Sequence, residues 1–173
     1  MSSDDRGLLD ILEQHGAQLH ALLTRLTLRA GVAEDLLQEL FLKLRAANGF
    51  GRSANRKAYA FRAAIHLAFD WRRRQRSTEP LGTELAGGMV APLDRLIDAE
   101  DLERVLDAVE HLSDLARQTM VLRYLQQLDY ADIAEQLGKT EHQVRGLCFK
   151  ALHQLRTRLR PTTRESDAQG TES

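Results

Sequence analysis

Apolar residues recur every three or four positions along most of this 173-residue chain, on both sides of a segment rich in proline and glycine. That spacing places apolar side chains on one face of an α-helix. The intervening segment, residues 77–95, holds two of the three prolines and shows no sustained period. The sequence therefore predicts an all-α protein of two small helical domains, 1–76 and 96–160, joined by a flexible linker, with a disordered tail at 161–173.

The N-terminal half shows three helical patterns. The first begins near Leu8 and stops at Gly31, and the second opens at Ala33 with acidic side chains, which the positive end of a helix dipole favours. A third helix is predicted over 57–74. The stretch 48–55 contains two glycines and two asparagines, which tolerate turn conformations, and so predicts a loop.

The C-terminal half has the pattern of a helix-turn-helix. Its apolar spacing first predicts helices over 96–109 and 116–125. Asp129 and Thr140 then stand where N-caps of a short and a long helix belong, and Gly138 stands between them as a left-handed stop. This order and spacing predict two packed helices, the second able to enter a DNA major groove.

Charge is strongly segregated although the net charge is only −1. Residues 52–76 hold eight basic and one acidic side chain, and residues 139–164 hold seven and one. The segment between them, 77–138, holds four basic and thirteen acidic side chains. Each basic block can neutralise phosphates, and the acidic segment is repelled from a duplex. We therefore expect a nucleic-acid partner, with solvated helix faces as the alternative.

Several function classes find no support in the sequence. The single cysteine, Cys148, excludes an internal disulfide, and neither a zinc spacing nor a nucleophile and base set is present. No apolar stretch approaches the about 18 residues that span a bilayer, and the N-terminus lacks the features of a signal peptide. We expect a cytoplasmic, non-enzymatic protein without cofactor, metal or membrane insertion.

The same segments carry a family resemblance. It is carried by four segments: Ala33-Glu-Asp-Leu-Leu-Gln-Glu-Leu-Phe-Leu-Lys-Leu, the helix Arg62–Arg74, Leu112-Ser-Asp-Leu-Ala-Arg-Gln-Thr-Met-Val-Leu-Arg-Tyr and Tyr130-Ala-Asp-Ile-Ala-Glu-Gln-Leu-Gly. Together they resemble an RNA polymerase sigma factor of the extracytoplasmic-function (ECF) group, in the sigma-70 family. The resemblance implies a dissociable subunit that binds core RNA polymerase and directs promoter recognition, DNA melting and transcription initiation. It also allows an anti-sigma factor as a partner.

By this resemblance, residues 1–76 bind the polymerase core and the melted minus-10 strand, and residues 96–160 bind the minus-35 duplex. The polymerase-core-binding residues would be Asp35, Gln38, Glu39 and Lys43. The minus-10 residues combine cations for phosphate with aromatic faces for stacking, and are Asn48, Phe50, Arg52, Asn55, Arg56, Tyr59, Arg62, His66 and Arg73. The minus-35 residues would be Lys139, Thr140, His142, Gln143, Arg145 and Lys150.

Alternatives remain open from the residues alone. Phe50 is as well suited to anchor a core as to contact a base. His66, Gly146 and Leu147 differ from the family pattern, so the resemblance implies no base preference. A freestanding helix-turn-helix regulator that binds operator DNA as a dimer is the main alternative function. An interaction module that binds RNA through its basic faces is a third.

Overall fold

The computed structural model describes residues 3–78 and 99–160. Throughout these two ranges the regular elements are helices, which confirms the predicted all-α class. Most of the predicted linker and the whole predicted tail fall at 79–98 and 161–173, outside the described residues.

The N-terminal half is a bundle of three long helices and one short one. In chain order they are α1 Ser3–Thr27, α2 Ala30–Ala46, α3 Asn48–Arg52 and α4 Arg56–Thr78. The three long helices pack on one another because each carries an apolar stripe at helical spacing. Leu22 of α1, Leu40 of α2 and Ile65 of α4 are buried where the stripes meet.

In the C-terminal half, three helices pack around the last one. These helices are α5 Ala99–Glu110, α6 Asp114–Met120, α7 Tyr130–Leu137 and α8 Glu141–Leu159. α8 contacts α5, α6 and α7. Its buried side chains recur at helical spacing, and they are Val144, Cys148, Ala151 and Leu155.

Local capping sets the geometry of the helix-turn-helix. The two predicted N-caps and the predicted glycine stop are all confirmed. The Asp129 carboxylate accepts a hydrogen bond from the Asp132 amide at 2.8 Å. Gly138 ends α7 in the left-handed conformation, with φ 63°. Thr140 starts α8 with a capping box, in which its hydroxyl accepts from the Gln143 amide at 3.2 Å and its own amide donates to Gln143 Oε1 at 3.0 Å.

Three boundaries in the N-terminal half differ from the prediction. α2 begins at Ala30 instead of Ala33, so its first turn holds no acidic side chain and the expected dipole contribution is absent there. α1 ends at Thr27, because Leu28 takes a left-handed φ of 61° and the buried Thr27 hydroxyl bonds to Leu23 O at 2.8 Å. Gly31 lies inside α2 and does not end a helix. The stretch predicted as a loop over 48–55 contains α3, whose central Phe50 is buried.

One boundary in the C-terminal half also differs. The segment predicted as a single helix over 116–125 changes at Val121 into a π-helical turn, Val121–Leu125. Such turns add a residue to the helical repeat and are frequent at functional sites. The Leu125 carbonyl at its end accepts a hydrogen bond from Arg25 of α1 at 2.9 Å, so this turn meets the N-terminal half.

Candidate nucleic-acid interface

The four predicted polymerase-binding residues lie together on α2, away from its buried leucines. Asp35, Gln38 and Lys43 are exposed and Glu39 is half-buried, whereas Leu40 is fully buried on the opposite side. Lys43 Nζ lies 3.3 Å from Glu39 Oε1, an exposed ion pair of the kind that contributes little to stability. The helix can therefore present this face to a partner without disturbing its core.

A groove between α2 and α4 adjoins this face. It encloses about 330 Å³, and its lining residues are Val32, Asp35, Leu36, Glu39, Trp71, Arg74 and Gln75. Trp71 is half-buried, with the Arg29 guanidinium 5.8 Å from its ring centroid. The sequence pattern did not place Trp71 beside Asp35 and Glu39, because the neighbourhood requires packing of α4 on α2. The only sequence signal was the helical spacing of the two helices.

Four of the predicted minus-10 residues share one face of α4. Tyr59, Arg62, His66 and Arg73 are separated by three, four and seven positions, which is the spacing of a single helix stripe. Their side chains are half-buried, except that of Arg73, which is exposed and paired with Asp70 one turn earlier. This stripe carries two arginines, an imidazole and a phenol, the groups expected to meet phosphates and bases.

Phe50 is a core residue in this structure. Its ring is 2% exposed and meets the Tyr59 ring edge-to-face, with 5.8 Å between centroids. The Arg56 guanidinium lies 5.9 Å from the same ring. The placement favours the core-anchor alternative over base contact by Phe50 itself, and Tyr59 is the ring nearer to solvent.

Two further residues of the minus-10 set have partners inside the fold. Asn55 Oδ1 accepts a hydrogen bond from the Ala58 amide at 2.9 Å and so caps the first turn of α4. Arg56 donates to the Gly51 carbonyl at 3.2 Å, and its guanidinium lies so close to Gly7 that a β-carbon there would collide with it. Asn48 and Arg52 are exposed.

Every predicted minus-35 residue is exposed, around the start of α8. Thr140 and Gln143 are engaged in the capping box, so their side chains serve first to position the helix. Arg145 forms a weak ion pair with Glu141 at 3.6 Å and lies 5.2 Å from the centroid of the Tyr130 ring, which orients its guanidinium before any DNA is bound.

Phe149 also lies on the exposed face of α8. It is 76% exposed, one turn after Arg145 and next to Lys150. An exposed aromatic ring between cations on a helix of this kind is suited to contact a base, for example the methyl group of thymine. The sequence placed Phe149 on the free face but did not distinguish it from its polar neighbours.

Two other kinds of site were sought among the described residues, metal sites and membrane spans. Residues 3–78 and 99–160 hold no group of three metal-ligating side chains, and none of their helices is long and apolar enough to cross a membrane. Cys148 is buried, and burial raises the pKa of its thiol despite the nearby positive charge of Arg123. This thiol is therefore protonated at neutral pH.

Comparison with known families assigns both halves. Residues 11–78 match the family model for sigma-70 region 2, and residues 102–155 match the model for sigma-70 region 4. The chain belongs to the sigma-70 family. This sigma factor directs promoter recognition by RNA polymerase and is not an enzyme. The family and function predicted from the sequence are thus confirmed, and the freestanding regulator is not favoured.

Two relatives that match about 70% of the chain are also sigma factors. This sigma factor is 25% identical over 132 residues to the ECF RNA polymerase sigma factor SigX of Bacillus subtilis (strain 168), a match that covers 71% of this chain and 68% of SigX. It is 24% identical over 129 residues to the ECF RNA polymerase sigma factor SigK of Mycobacterium sp. (strain KMS), a match that covers 70% and 67%. These relatives support the ECF group predicted from the sequence.

Two solved structures share the fold. One is the sigma factor RpoE in complex with the anti-sigma factor NepR from Bartonella quintana, with 22% identity, a TM-score of 0.51, and coverage of 90% of this chain and 95% of that one. The other is CnrH in complex with the cytosolic domain of CnrY, with 20% identity, a TM-score of 0.52, and coverage of 90% and 88%.

Proposed function

We propose that this sigma factor uses three separate surfaces for its three contacts. The α2 face and its groove bind core RNA polymerase, α3 and α4 hold the melted minus-10 strand, and α8 reads the minus-35 duplex. The observation that carries the proposal is the distribution of chemistry over the surface. There is an acidic and polar face on α2, a cationic and aromatic stripe on α4 that adjoins it where Arg73 and Lys43 line one cavity, and an exposed capped helix in the C-terminal half.

The polymerase surface combines charge with an aromatic anchor. Asp35 and Glu39 line the groove that holds Trp71, and Gln38 and Lys43 are exposed on α2 nearby. Interfaces gain most of their affinity from a few aromatic or charged residues seated in pockets, with weaker contacts around them. A polymerase helix that fills this groove would bury Trp71 completely and pair with the α2 carboxylates.

The strand surface is carried by exposed and half-buried members of its predicted set. Asn48 and Arg52 on α3, with Tyr59 and Arg62 on α4, offer cations for phosphate and a ring for stacking. Extrusion of a base from a duplex costs a few kcal/mol, which stacking and hydrogen bonds must offset. This surface is supported by Phe50, Asn55 and Arg56. Phe50 is buried, and the side chains of Asn55 and Arg56 form hydrogen bonds with backbone groups of the same half.

The duplex surface is carried by Lys139, His142, Arg145 and Lys150, with Phe149 between the last two. Cations at the start of α8 position the helix on phosphates, and the longer side chains reach base edges. The chain acts in the cytoplasm, beside its polymerase. Because one solved relative is bound to an anti-sigma factor and the other to a cytosolic domain, we propose an anti-sigma factor as a further partner.

Reconstitution with core RNA polymerase tests the function as a whole. The purified chain should form a one-to-one complex with core polymerase and permit initiation from a promoter that core polymerase alone does not use. A symmetric dimer that binds a palindromic duplex as tightly without polymerase as with it would instead establish the operator-binding regulator.

Charge reversal tests the α2 surface. Asp35→Arg with Glu39→Arg should weaken polymerase binding at least about tenfold, the reduction expected from one buried charged contact. The matched control is Asp10→Arg with Glu13→Arg, which reverses two exposed carboxylates on α1. Equal affinity of the two double variants for core polymerase would move the docking surface away from α2.

Neutralisation of cations tests the strand surface. Arg52→Ala with Arg62→Ala should reduce permanganate-detected melting of promoter thymines, and a pre-melted promoter should bind less tightly. Arg6→Ala with Arg104→Ala removes the same charge from exposed positions outside the surface. If both pairs lowered binding equally, the effect would be one of net charge and the assignment of α3 and α4 would be wrong.

A further inference from the structure

One arginine at the start of α4 touches two other elements of the N-terminal half. The Nη2 atom of Arg56 donates to the Gly51 carbonyl of α3 at 3.2 Å, and the Arg56 Cζ atom lies 5.9 Å from the centroid of the Phe50 ring. The same guanidinium lies against Gly7 of α1. A single side chain therefore connects α4, from which it comes, with both α1 and α3.

The contact between Arg56 and α1 depends on the missing side chain of Gly7. Gly7 is buried, and a β-carbon at this position would overlap Arg56 Nη1 and lie 2.9 Å from Arg56 Cζ. In the same helix, a β-carbon at Gly16 would meet no atom within 4 Å. Glycine is a poor helix former, so both positions weaken α1 relative to alanine. Of these two glycines, Gly7 alone has a neighbour that fills the space.

The short helix α3 has little of its own to hold it in place. It spans five residues, Asn48–Arg52, fewer than the about 12–15 that an isolated helix needs in water, and no side chain caps its start. A helix leaves its last carbonyls without internal partners, and its dipole favours cations at that end. The Arg56 guanidinium supplies a donor and a positive charge there, because it bonds to the Gly51 carbonyl.

The placement of α3 matters because this helix carries two members of the strand surface. Asn48 and Arg52 are exposed and four positions apart, so they project from the same side of the helix. Phe50, midway between them, is buried and anchors the centre of α3. A rotation or shift of α3 would therefore move both exposed side chains relative to Tyr59 and Arg62 on α4.

We propose, on the basis of the strand surface proposed above, that Arg56 is a positioning residue for the melted strand and that Gly7 keeps open the space in which its guanidinium sits. Arg56 fixes α3 so that the two exposed side chains of this helix are in place when the strand arrives. A surface that is ordered before binding loses less conformational freedom on binding, and so binds more tightly. Gly7 thereby contributes to strand binding although it is buried in α1.

The alternative role for Arg56 is direct contact with a phosphate. Its side chain is half-buried and already engaged with a carbonyl and a ring, which favours positioning. The two roles differ in salt dependence, because a cation that neutralises a phosphate releases counterions when it binds. Loss of such a cation reduces the slope of log affinity against log salt by about 0.7 for a single strand. Loss of a positioning contact lowers the affinity and leaves the slope unchanged.

The test compares the same substitution at two glycines of one helix. Gly7→Ala adds a methyl group that displaces the Arg56 guanidinium, whereas Gly16→Ala adds one where a β-carbon meets nothing. Arg56→Ala removes the guanidinium directly and does not depend on how well Gly7→Ala folds. The double variant, Gly7→Ala with Arg56→Ala, completes a double-mutant cycle. Each full-length variant is bound to core polymerase, and its affinity for a promoter already melted at the minus-10 element is measured.

Strand binding should follow the position of the guanidinium. Gly7→Ala and Arg56→Ala should each weaken binding of the pre-melted promoter about tenfold, the lower end of what a hydrogen bond to a charged group provides. Gly16→Ala should bind as the unmodified chain does. The double variant should lose no more than either single one, because the methyl group displaces nothing once the guanidinium is gone. The salt slope should stay unchanged in all four variants.

Hydrogen exchange reports on α3 itself. Deuterium uptake by the peptide that spans 48–53, measured on the free chain by mass spectrometry, should be faster in Gly7→Ala and Arg56→Ala and unchanged in Gly16→Ala. Uptake over α8, in the other half, should be the same in every variant. This comparison separates local loosening of α3 from a loss of global stability.

Each contrary outcome overturns a different step of the proposal. Equal affinity of Gly7→Ala and Gly16→Ala for the pre-melted promoter would show that the contact at Gly7 has no role in strand binding. Additive losses in the double variant would show that Gly7 does not act through Arg56, and a reduced salt slope for Arg56→Ala would assign that residue to a phosphate. Failure of the strand surface is recognised separately. In that case Arg52→Ala with Arg62→Ala would bind normally and no strand role would remain for Arg56, although α3 would still exchange faster in Gly7→Ala.

Discussion

Two glycines of the C-terminal half should respond in opposite directions to the same substitution. Gly138, between α7 and α8, has φ 63°, whereas Gly146 lies inside α8 with helical geometry. A β-carbon at either position meets no atom within 4 Å, so packing does not enter the comparison. The sign of each effect is decided by backbone conformation alone.

The magnitudes follow from that difference. At Gly138, alanine must adopt the left-handed conformation, which costs about 1–2 kcal/mol for a residue with a β-carbon. Part of this cost is offset because alanine has less conformational freedom in the unfolded chain, and a net destabilisation of about 1 kcal/mol remains. At Gly146, alanine has the better helix propensity and should add about 0.5–1 kcal/mol.

Urea unfolding of the two full-length variants measures this difference. Far-UV circular dichroism follows all the helices, and fluorescence of Trp71, the single tryptophan, follows the N-terminal half. The free energies of unfolding of Gly138→Ala and Gly146→Ala should differ by about 2 kcal/mol. Destabilisation of the same size at both positions would refute this reasoning. It would mean that the added methyl group, and not the backbone φ, determines the change in the free energy of unfolding.

Three further predictions concern single features of the C-terminal half. Thr140→Ala should lower the free energy of unfolding by about 1 kcal/mol and Thr140→Ser by much less, because serine keeps the hydroxyl of the capping box; urea unfolding distinguishes them. Arg145→Ala with Lys150→Ala should reduce the slope of log affinity against log salt for promoter duplex by about one for each phosphate that is no longer neutralised, whereas Arg6→Ala with Arg104→Ala should leave the slope unchanged. Cys148 should react with iodoacetamide at neutral pH only after urea is added, because the thiol is buried and its raised pKa keeps it protonated; rapid modification of the folded chain would contradict the burial.

Features encoded within a few residues were predictable from the sequence. The caps at Asp129 and Thr140 and the stop at Gly138 depend on side chains and backbone conformations that act over three or four positions. The face of α2 was predictable for the same reason, since a leucine stripe at helical spacing defines the opposite surface. Assignment of individual minus-10 and minus-35 residues stays a prediction that the proposed variants must test.

Features that depend on distant contacts were not predictable. The end of α1 is set by Leu28 in a left-handed conformation next to the buried Thr27, and neither residue has a strong local preference for this role. The prediction that α1 ends at Gly31, which rested on residue type, was therefore wrong. The contacts of Arg72 with Glu103 and of His66 with Gln118 could not be predicted for a similar reason, because the partners stand 31 and 52 positions later in the chain.

The covalent connection between the halves changes how strong the ion pairs between α4 and α5 need to be, namely those of Arg72 and Arg76 with Glu103, Asp107 and Glu110. Residues 79–98 connect α4 to α5 covalently, so each half experiences the other at the effective concentration of a tethered partner, which can reach the millimolar range. A contact too weak to join two separate proteins is then sufficient to keep the halves together. A protease cut between the halves would remove this advantage, because the two pieces would then meet only at their concentration in solution.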